Sequence, residues 1–392
     1  MMRSPLLRPS LHHFLSLRLL GTAAPKAVER VAADALPVAL NFEDPSAFRV
    51  KSFGELLRAL GVFQLCSVPV LVNNCGKLMS VARTLLGKRG FALFLRPSVY
   101  AQFVAGESEG EITHSMEKMS SLGLRPMLAV PIEEDLGEST GERRYNDNLA
   151  SMLECVDMSH SNAWSKDPMM QLKITALLSP ELCPISFPGL QESENTHFLC
   201  GLQRLNKVGE ESRSLLLEDV RLSISESFCL GVKLVRGAYM DKERKLANSE
   251  GCSEPVHESW EHTNDSYNGS LDILLELISR DPQRYRIIVA THNEESVRRA
   301  VQRMGELGMD KDGGSVCFGQ LLGMCDHVSL TLAQQGYLVY KSVPYGSVDN
   351  TLPYLVRRAQ ENRTVLQGIR KERDLLRLEL HRRLRQGLRQ GS

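Results

Sequence analysis

The residues best suited to chemistry in this chain lie near its C-terminus, in the run YLVYKSVPYGSVDNTLPYLVRRAQENR at 337–363. The pattern predicts a short strand, a Pro-Tyr-Gly turn and then a helix. On that helix Tyr354, Arg357, Arg358 and Glu361 follow i, i+3, i+4 and i+7 spacing, so they share one face. Adjacent guanidiniums can bind a carboxylate through forked, charge-assisted hydrogen bonds, and Glu361 can hold Arg357 in place. A solvated charged face is the alternative, but Tyr354 and the strand–turn entry favour a carboxylate site.

Two predicted strands carry a lysine among apolar residues, Lys173 in QLKITAL and Lys233 in GVKLVRGAY. Because burying an unpaired ammonium is costly, each lysine is expected to meet a carboxylate, a phosphate or a cofactor atom. The alternative is that each extends to the strand end and reaches solvent. Val235 faces the same way as Lys233. At the C-terminal end of this strand, where small residues let a flat ring approach the backbone, stand Gly237, Ala238 and Tyr239.

A third group of polar residues, Thr291, His292 and Asn293, ends the apolar run IIVATHN. Polar residues at the end of a strand are typical of the catalytic mouth of a β/α barrel. A lone histidine in this position is more often a structural hydrogen-bonding group, and that alternative stays open. The sequence contains no Ser-His-Asp order, H-E-x-x-H or Walker motif.

The elements that must position these residues alternate along the chain. Residues 40–125 have mainly helical periodicity, and 264–280 and 294–307 are predicted amphipathic helices. Apolar runs predict six strands at 125–132, 170–178, 230–239, 285–293, 315–322 and 336–340. Strands separated by helices give a parallel sheet with right-handed crossovers. A (β/α) barrel is favoured over an open sheet because no Gly-rich phosphate-binding fingerprint follows the first strand.

Composition limits the function classes. The chain has 392 residues, 42% of them hydrophobic and 24% charged, as expected for a globular enzyme. Lys+Arg and Asp+Glu both total 47, so the overall charge gives no reason to expect nucleic acid. Nine cysteines without a C-x-x-C pair predict reduced thiols and no metal site. Residues 1–28 are basic, rich in Leu and Ser, and free of acids until Glu29, which predicts a mitochondrial presequence.

Two further segments are candidates for membrane contact. The apolar run Ala59–Val72 contains Gln64, Ser67 and Pro69, and is too short and too interrupted to cross a bilayer. We interpret it as a buried helix, with a position on a membrane surface as the alternative. The basic tail at 365–389 is interpreted as a solvated or packing helix, again with a membrane-surface alternative.

Taken together, these motifs resemble the proline dehydrogenase family. The matching runs are SVYAQFVAGE, MQLKITAL, GVKLVRGAYMDKER, VATHNEESVRRA, VCFGQLLGMCDH, and YKSVPYG through PYLVRRAQEN, which span about residues 55–380. The resemblance implies a distorted (β/α)8 TIM-type barrel, FAD as cofactor, an imino-acid substrate and a mitochondrial location. It also implies a quinone acceptor and peripheral contact with the inner membrane. The resulting organisation is a presequence at 1–28, a helical region at 29–124 and the FAD barrel with its C-terminal helix at 125–392.

The resemblance also implies a function for individual residues. Arg357 and Arg358 would bind the substrate carboxylate, aided by Lys173 and supported by Glu361. Lys233 would lie beside the reactive nitrogen of the flavin. The residues implied to wall the substrate ring are Tyr239 and Tyr354, and those implied to contact the flavin are Val235, Gly237, Ala238, Thr291, His292 and Asn293.

One position separates branches of the family. Proline-preferring members carry a tyrosine where this chain has Ser342. A serine hydroxyl leaves room for a 4-hydroxyl group on the pyrrolidine ring and can hydrogen-bond it. The sequence therefore predicts oxidation of trans-4-hydroxy-L-proline, and more weakly of L-proline, to the 1-pyrroline-5-carboxylate product.

The match breaks between Lys173 and Lys233. The family places two further strands there, one in a D-A-E setting and one in an N-T-Y-Q setting, and neither run occurs in this chain. We therefore expect an incomplete barrel that lacks strands 3 and 4, with unpaired strand edges. Two hypotheses follow, an active flavoenzyme and a non-catalytic form of the family that cannot bind FAD.

Overall fold

The structure is a computed structural model, and it describes residues 40–132, 142–161, 164, 169–172, 176–177, 209–237, 240–251, 254, 256–364 and 366–390. The predicted presequence at 1–28 lies outside these residues, and so do the site candidates Lys173, Ala238 and Tyr239. The described residues belong to one compact unit, Ala39–Ser392.

Six parallel strands form a single curled sheet. They are β1 (Arg125–Ala129), β2 (Met169–Gln171), β3 (Leu230–Val235), β4 (Tyr285–Ala290), β5 (Val316–Leu321) and β6 (Val339–Pro344). Their order is β2-β1-β6-β5-β4-β3, and every pairing between neighbours is parallel. The predicted parallel β/α architecture is confirmed. Because all strands run the same way, their carboxyl ends lie at one edge of the sheet.

Thirteen α-helices are present in the described residues. Before the sheet come α1 (Phe53–Cys66), α2 (Pro69–Asn73), α3 (Cys75–Leu95), α4 (Ala101–Phe103) and α5 (Glu109–Ser121). Between the strands lie α6 (Glu142–Ser161), α7 (Gly209–Ser225), α8 (Met240–Glu250), α9 (Trp260–Arg280), α10 (Glu294–Glu306) and α11 (Asp326–Gln334). After β6 come α12 (Val348–Thr364) and α13 (Leu366–Gln390).

Local sequence determines where several of these helices begin. Ser52 and Glu55 form a reciprocal capping box at the start of α1, and Ser108 and Glu111 do the same for α5. Asn293 caps α10, since its side-chain oxygen accepts a hydrogen bond from the Ser296 N–H at 2.8 Å. These caps satisfy backbone donors that would otherwise lack a partner in the first helical turn.

The two faces of the sheet pack differently. On the helix-covered face, alternate strand residues join the main core with the helices, among them Val232, Ile287, Phe318 and Val343. On the opposite, inner face a smaller cluster contains Met127, Cys317, Leu338 and Tyr340. This alternation follows from the two-residue period of a strand.

The sheet is open between β2 and β3, which are its edge strands among the residues that the structure describes. A closed barrel would join these two edges through further strands. The open edge therefore agrees with the predicted incomplete barrel.

The N-terminal helices contact the loops at the carboxyl edge of the sheet. The Gln102 side chain donates to the Gly323 carbonyl oxygen at 2.8 Å, and a Cβ at Gly323 would overlap the Gln102 carbonyl oxygen. Gly323 also has φ +75°, a value that favours glycine. The Tyr100 hydroxyl donates to the Gly346 carbonyl at 2.6 Å, and the Ala105 N–H to the Pro344 carbonyl at 2.9 Å.

Two sequence predictions need correction. The last strand was predicted at 336–340 but spans Val339–Pro344, because Lys341 and Ser342 are buried although they are polar. The run Ala59–Val72 was interpreted as a buried helix. It is instead divided between α1, a turn and α2, and Leu65, Val68, Val70 and Leu71 are exposed. Among the described helices, none combines the length and the apolar character needed to cross a bilayer.

Candidate active site

The helix that follows β6 carries the predicted carboxylate-binding residues on one face. The guanidinium of Arg358 lies 4.8 Å from the centroid of the Tyr354 ring, and that of Arg357 lies 6.0 Å from the same centroid. A cation–π contact with an aromatic ring restrains the orientation of a guanidinium. Glu361 belongs to the same helix, α12, but its side chain lies outside what the structure describes.

Burial distinguishes the two arginines. Arg358 is only 2% exposed, whereas Arg357 is half-buried. Tyr354 packs in a cluster with Tyr100, Met324 and Leu355, so α12 is held against the loops at the carboxyl edge of the sheet. Neither arginine is turned out to solvent, which argues against the solvated-face alternative.

His292 follows the end of β4 and lies close enough to Arg358 and Lys341 to feel their positive charges. Burial, followed by the positive charges of Lys341 and Arg358, lowers the pKa of His292 to about 3. The imidazole is therefore neutral at physiological pH. Its Nε2 accepts a hydrogen bond from the Leu321 N–H at 3.2 Å, so Nδ1 carries the proton. His292 thus ties the end of β4 to the end of β5, as the structural alternative predicted.

Thr291 and Asn293 also make local hydrogen bonds. The Thr291 hydroxyl oxygen accepts from the Asn293 N–H at 3.0 Å, and the Asn293 side chain caps α10. These contacts shape the turn that leads from β4 into α10. The predicted contact of these three residues with a cofactor stays a prediction.

Lys233 lies on β3 with the alternation that the sequence predicted. Val232 and Leu234 are buried in the core, while Lys233 is half-buried and Val235 is exposed. Lys233 and Val235 therefore point to the inner face of the sheet. Gly237 follows with φ +64° and is exposed, so the backbone at this strand end is uncovered.

Ser342 is buried on β6, between β1 and β5. Its register partners are Met127 on β1 and Leu321 on β5. Because Tyr340 belongs to the inner-face cluster, Ser342, two residues later, points to the same face. Ser342 therefore lies on the inner face near the carboxyl edge, and its predicted contact with the substrate stays a prediction.

A buried ion network beside this site was missed by sequence reasoning. Lys341, 1% exposed, bonds Asp326 at 2.8 Å and donates to the Met324 carbonyl at 2.7 Å. Lys51 bonds the other oxygen of Asp326 at 2.7 Å. Burial would raise the pKa of Asp326, but the two lysines outweigh it and hold that pKa well below its usual range. A lysine within an apolar strand, the pattern that singled out Lys233, would also have identified Lys341.

The same network extends to the helix termini. Glu372 on α13 accepts hydrogen bonds from the Cys325 and Asp326 N–H groups, both at 2.9 Å, at the start of α11. Glu294 bonds His327 at 2.9 Å and Lys371 at 2.5 Å. Burial opposes ionisation of Glu294, but these two hydrogen bonds lower its pKa to about 2. The network fixes α11 and α13 behind the strand ends that form the site.

The comparisons with known proteins agree with this geometry. A model of the proline dehydrogenase family matches residues 209–371. A hydroxyproline dehydrogenase from Xenopus laevis is 48% identical, over an alignment that covers 88% of this chain and 91% of the relative. The chain belongs to the proline dehydrogenase family. This membership confirms the predicted resemblance and the predicted enzyme class, an oxidoreductase of the proline dehydrogenase type.

Other members of the family give the same picture. The hydroxyproline dehydrogenase of Homo sapiens is 40% identical, covering 88% of this chain and 94% of that protein. The mitochondrial proline dehydrogenase 1 of Drosophila melanogaster is 26% identical, covering 90% of this chain and 82% of the relative. The predicted similarity to hydroxyproline dehydrogenases is confirmed.

A solved structure supports the fold. Proline utilization A from Bdellovibrio bacteriovorus, inactivated by N-propargylglycine, superposes with a TM-score of 0.54 at 19% identity. The match covers 79% of this chain and 37% of that much longer chain. It supports a TIM-type barrel as the parent architecture of the curled sheet.

The alignment also bears on the open edge. The match to the Xenopus laevis relative extends over 424 positions, whereas this chain has 392 residues in total. The relative therefore contains residues within the aligned region for which this chain has no counterpart. This finding agrees with the two family strands that the sequence between Lys173 and Lys233 lacks.

Proposed function

We propose that this chain is a flavin-dependent dehydrogenase that oxidises trans-4-hydroxy-L-proline, and L-proline more weakly, to the corresponding 1-pyrroline-5-carboxylate. The observation that carries the proposal is the pair of arginines near the Tyr354 ring, with Arg358 buried and close to His292 at the end of β4. A pair of guanidiniums, one of them buried, at the carboxyl edge of a β/α sheet suits a small carboxylate. Binding the carboxylate by two forked groups fixes the orientation of the imino-acid ring.

The residues at the inner face suit FAD as the cofactor. Lys233 supplies a cation there, and the uncovered backbone at Gly237 offers close approach to a flat ring. The lysine would lie near the reactive edge of the flavin, while Val235 and Gly237 would line it and Thr291, His292 and Asn293 would contact it further out. When bound, a flavin supplies the two-electron acceptor for a hydride from the ring carbon next to nitrogen.

The contribution of the protein side chains is orientation and charge. Arg357 and Arg358 neutralise the substrate carboxylate, and Tyr354 provides one wall for the pyrrolidine ring. The neutral state of His292 avoids a third positive charge next to the arginines. Four further residues keep the functions that the resemblance implies. Lys173 would help to bind the carboxylate, and Glu361 would support the arginines. Tyr239 would form a wall for the substrate ring, and Ala238 would contact the flavin.

Ser342 underlies the preference for the hydroxylated substrate. Its side chain is buried on the inner face and is much smaller than the tyrosine ring of proline-preferring members. A serine hydroxyl that hydrogen-bonds the 4-hydroxyl of the substrate distinguishes hydroxyproline from proline better than shape alone. Bound proline would leave the serine hydroxyl without that hydrogen-bond partner.

Purification of the full chain tests the proposal directly. We expect a yellow protein. Its flavin absorbance in the visible range should decrease when trans-4-hydroxy-L-proline is added in the absence of oxygen. L-proline at the same concentration should bleach it more slowly. Equal rates for the two substrates would contradict the assigned preference, and the absence of bleaching with either substrate would contradict the activity.

A non-catalytic form of the family is the second candidate. The observation that favours it is the open edge between β2 and β3, where a barrel wall would otherwise cover the cofactor. A colourless protein that takes up no added FAD, measured by flavin fluorescence after gel filtration, would support this candidate.

The electron acceptor and the compartment follow from the same family relationship. We propose that a membrane quinone reoxidises the flavin. We also propose a mitochondrial location, since relatives from Drosophila melanogaster and Homo sapiens are named mitochondrial. Import of a fusion between residues 1–40 and a fluorescent protein into mitochondria would test the location.

A further inference from the structure

The helix α3 carries apolar side chains together with lysine and arginine, and only one of its sides is packed. Cys75, Phe91 and Leu95 are buried in a cluster that also contains residues of α12. The other side of α3 is exposed, and it carries both apolar and basic side chains.

The exposed apolar side chains of α2 and α3 form what we call the α2–α3 surface: Val70, Leu71, Leu78, Val81, Leu85, Leu86, Leu93 and Phe94. Leu85 is 79% exposed and Phe94 is 71% exposed. Leu78, Val81 and Leu85 follow i, i+3 and i+7 spacing and therefore lie on one face of α3. Clusters of this kind on a folded protein mark a contact with a partner or a membrane.

The exposed charged side chains of α3, which are Lys77, Lys88 and Arg89, are all basic. Nearby, Arg83 pairs with Asp349 and Arg96 pairs with Glu107. Between Glu55 and Glu107 the sequence contains no acidic residue at all. The same stretch contains six basic residues, which are Arg58, Lys77, Arg83, Lys88, Arg89 and Arg96. Exposed apolar side chains interleaved with lysine and arginine, without acids, are typical of helices that lie in the headgroup region of an anionic membrane.

The α2–α3 surface is held firmly in place rather than detached. Arg83 bonds Asp349 at 3.0 Å, and the Cys75 thiol lies 3.9 Å from the Val356 carbonyl oxygen, so α3 packs on α12. The exposure of Leu85 and Phe94 therefore belongs to the folded unit.

We propose that the α2–α3 surface docks the protein on an anionic phospholipid bilayer. Leu78, Val81, Leu85, Leu93 and Phe94 insert at the level of the acyl-chain boundary, and Lys77, Lys88 and Arg89 contact lipid phosphates. Since α3 packs on α12, docking places the helix that carries Arg357 and Arg358 directly behind the membrane-bound layer. The arrangement shortens the path to a lipid-soluble acceptor, which is the part of the inference that rests on the proposed function.

Sedimentation with vesicles tests the proposal with the full chain. The wild type is expected to bind vesicles of phosphatidylcholine mixed with phosphatidylglycerol, and to bind more weakly as salt is added. Leu85→Ser with Phe94→Ser is expected to lower the partition coefficient about tenfold or more, because two apolar side chains no longer insert. Since both positions are exposed, the double variant should keep the circular dichroism spectrum and melting temperature of the wild type.

A matched control uses the other basic helix. Leu378 and Leu384 on α13 are 55% and 48% exposed, and Leu378→Ser with Leu384→Ser should leave vesicle binding unchanged. If the α13 variant lost as much vesicle binding as the α3 variant, the membrane contact would have to include α13, and the proposal would be overturned.

The electrostatic part has its own variant. Lys88→Gln with Arg89→Gln is expected to lower binding to the anionic vesicles about tenfold. Binding to pure phosphatidylcholine should stay as weak as before. Equal binding of this variant and the wild type to anionic vesicles would overturn the assignment of an anionic surface.

A second copy of the chain is the competing occupant of this surface. Light scattering without lipid would then show a wild-type dimer that becomes a monomer in the Leu85→Ser/Phe94→Ser variant, with no vesicle binding, and the proposal would be wrong. Vesicle binding by a protein that does not oxidise hydroxyproline would support this inference while contradicting the proposed function. Oxidation of hydroxyproline with a soluble quinone, but without vesicle binding, would support the proposed function and contradict this inference.

Discussion

Arg357 and Arg358 are neighbours in sequence but differ in their surroundings. Arg358 is buried and lies closer to the Tyr354 ring, whereas Arg357 is half-buried and further from it. A buried guanidinium with a restrained orientation loses less entropy when it binds a carboxylate. Arg358 should therefore contribute more to substrate affinity than Arg357.

Replacing each arginine by methionine tests this difference. Arg358→Met is expected to raise the KM for trans-4-hydroxy-L-proline about 10- to 100-fold, the range for losing a charge-assisted hydrogen bond. Arg357→Met should raise it less, and flavin content should be unchanged in both variants. Arg370→Met, at an exposed arginine of α13, serves as the control. A KM that does not change in either variant would sink the carboxylate-binding assignment.

Ser342 makes a separate prediction about specificity. Ser342→Tyr is expected to lower the ratio of kcat/KM for hydroxyproline to that for proline by about tenfold or more, because the ring fills the space for the 4-hydroxyl group. Ser342→Ala is the matched control, since it removes the hydroxyl but keeps the space. It should weaken hydroxyproline turnover by less and leave proline turnover unchanged. An unaltered ratio in the tyrosine variant would refute the assignment.

At the scale of elements, the connection between β4 and β5 depends on one neutral histidine. The His292 ring accepts a hydrogen bond from the Leu321 N–H. Burial, followed by the nearby positive charges, lowers the pKa of His292 from the ordinary value of 6.5 to about 3. Between these values the unfolded chain binds a proton that the folded chain does not. The free energy of unfolding therefore falls as the pH is lowered from about 6.5 towards 3.

A glutamine at this position separates the histidine from other titrating groups. His292→Gln keeps a side-chain acceptor but does not titrate, so the fall in unfolding free energy between pH 6.5 and 4.5 should be smaller than in the wild type. Below about pH 4.5 the unfolding free energy of both proteins falls further, because folding lowers the pKa values of the carboxylates Asp326 and Glu294. Urea unfolding at several pH values measures the difference, and parallel curves above pH 4.5 would contradict the assignment.

The sequence predicted the elements better than the contacts between them. Apolar runs located the six described strands, because the buried positions of a strand are marked by its own residues, at every position in β6 and at alternate positions in β3 and β4. The end of β6 was misplaced because Lys341 is buried with the help of Asp326 and Lys51, and Lys51 lies hundreds of residues away along the chain. Local periodicity carries no information on such partners. The arginine face of α12 was predictable because helical spacing alone sets it, while the burial of Arg358 depends on tertiary packing.

At the scale of the whole molecule, the main difference from a closed barrel in the part of the chain that the structure describes is the open edge between β2 and β3. Edge strands expose backbone donors and acceptors, and an incomplete wall leaves a cofactor less covered. We expect the chain to bind flavin more weakly than a complete member of the family and to associate more readily.

A chimera can test this expectation. The residues of the Xenopus laevis relative that have no counterpart in this chain would be inserted at their aligned position. The chimera should retain about one flavin per chain after gel filtration, and the unmodified chain should retain clearly less. An inserted segment of the same length made of glycine and serine is the control. Equal flavin content in all three proteins would show that the open edge does not limit cofactor binding.

The close approach of Gln102 to Gly323 has a consequence for how fragments of this protein can be made. The Gln102 carbonyl oxygen occupies the space that a methyl group at position 323 would fill, so the N-terminal helices and the β5–α11 loop interlock at the level of the backbone. An expression fragment that begins at the first strand would lack the N-terminal helices. The apolar residues around Met324 and Tyr354 would then be exposed to solvent. The catalytic half of the chain therefore has no boundary at residue 124 at which it could be cut out and remain folded.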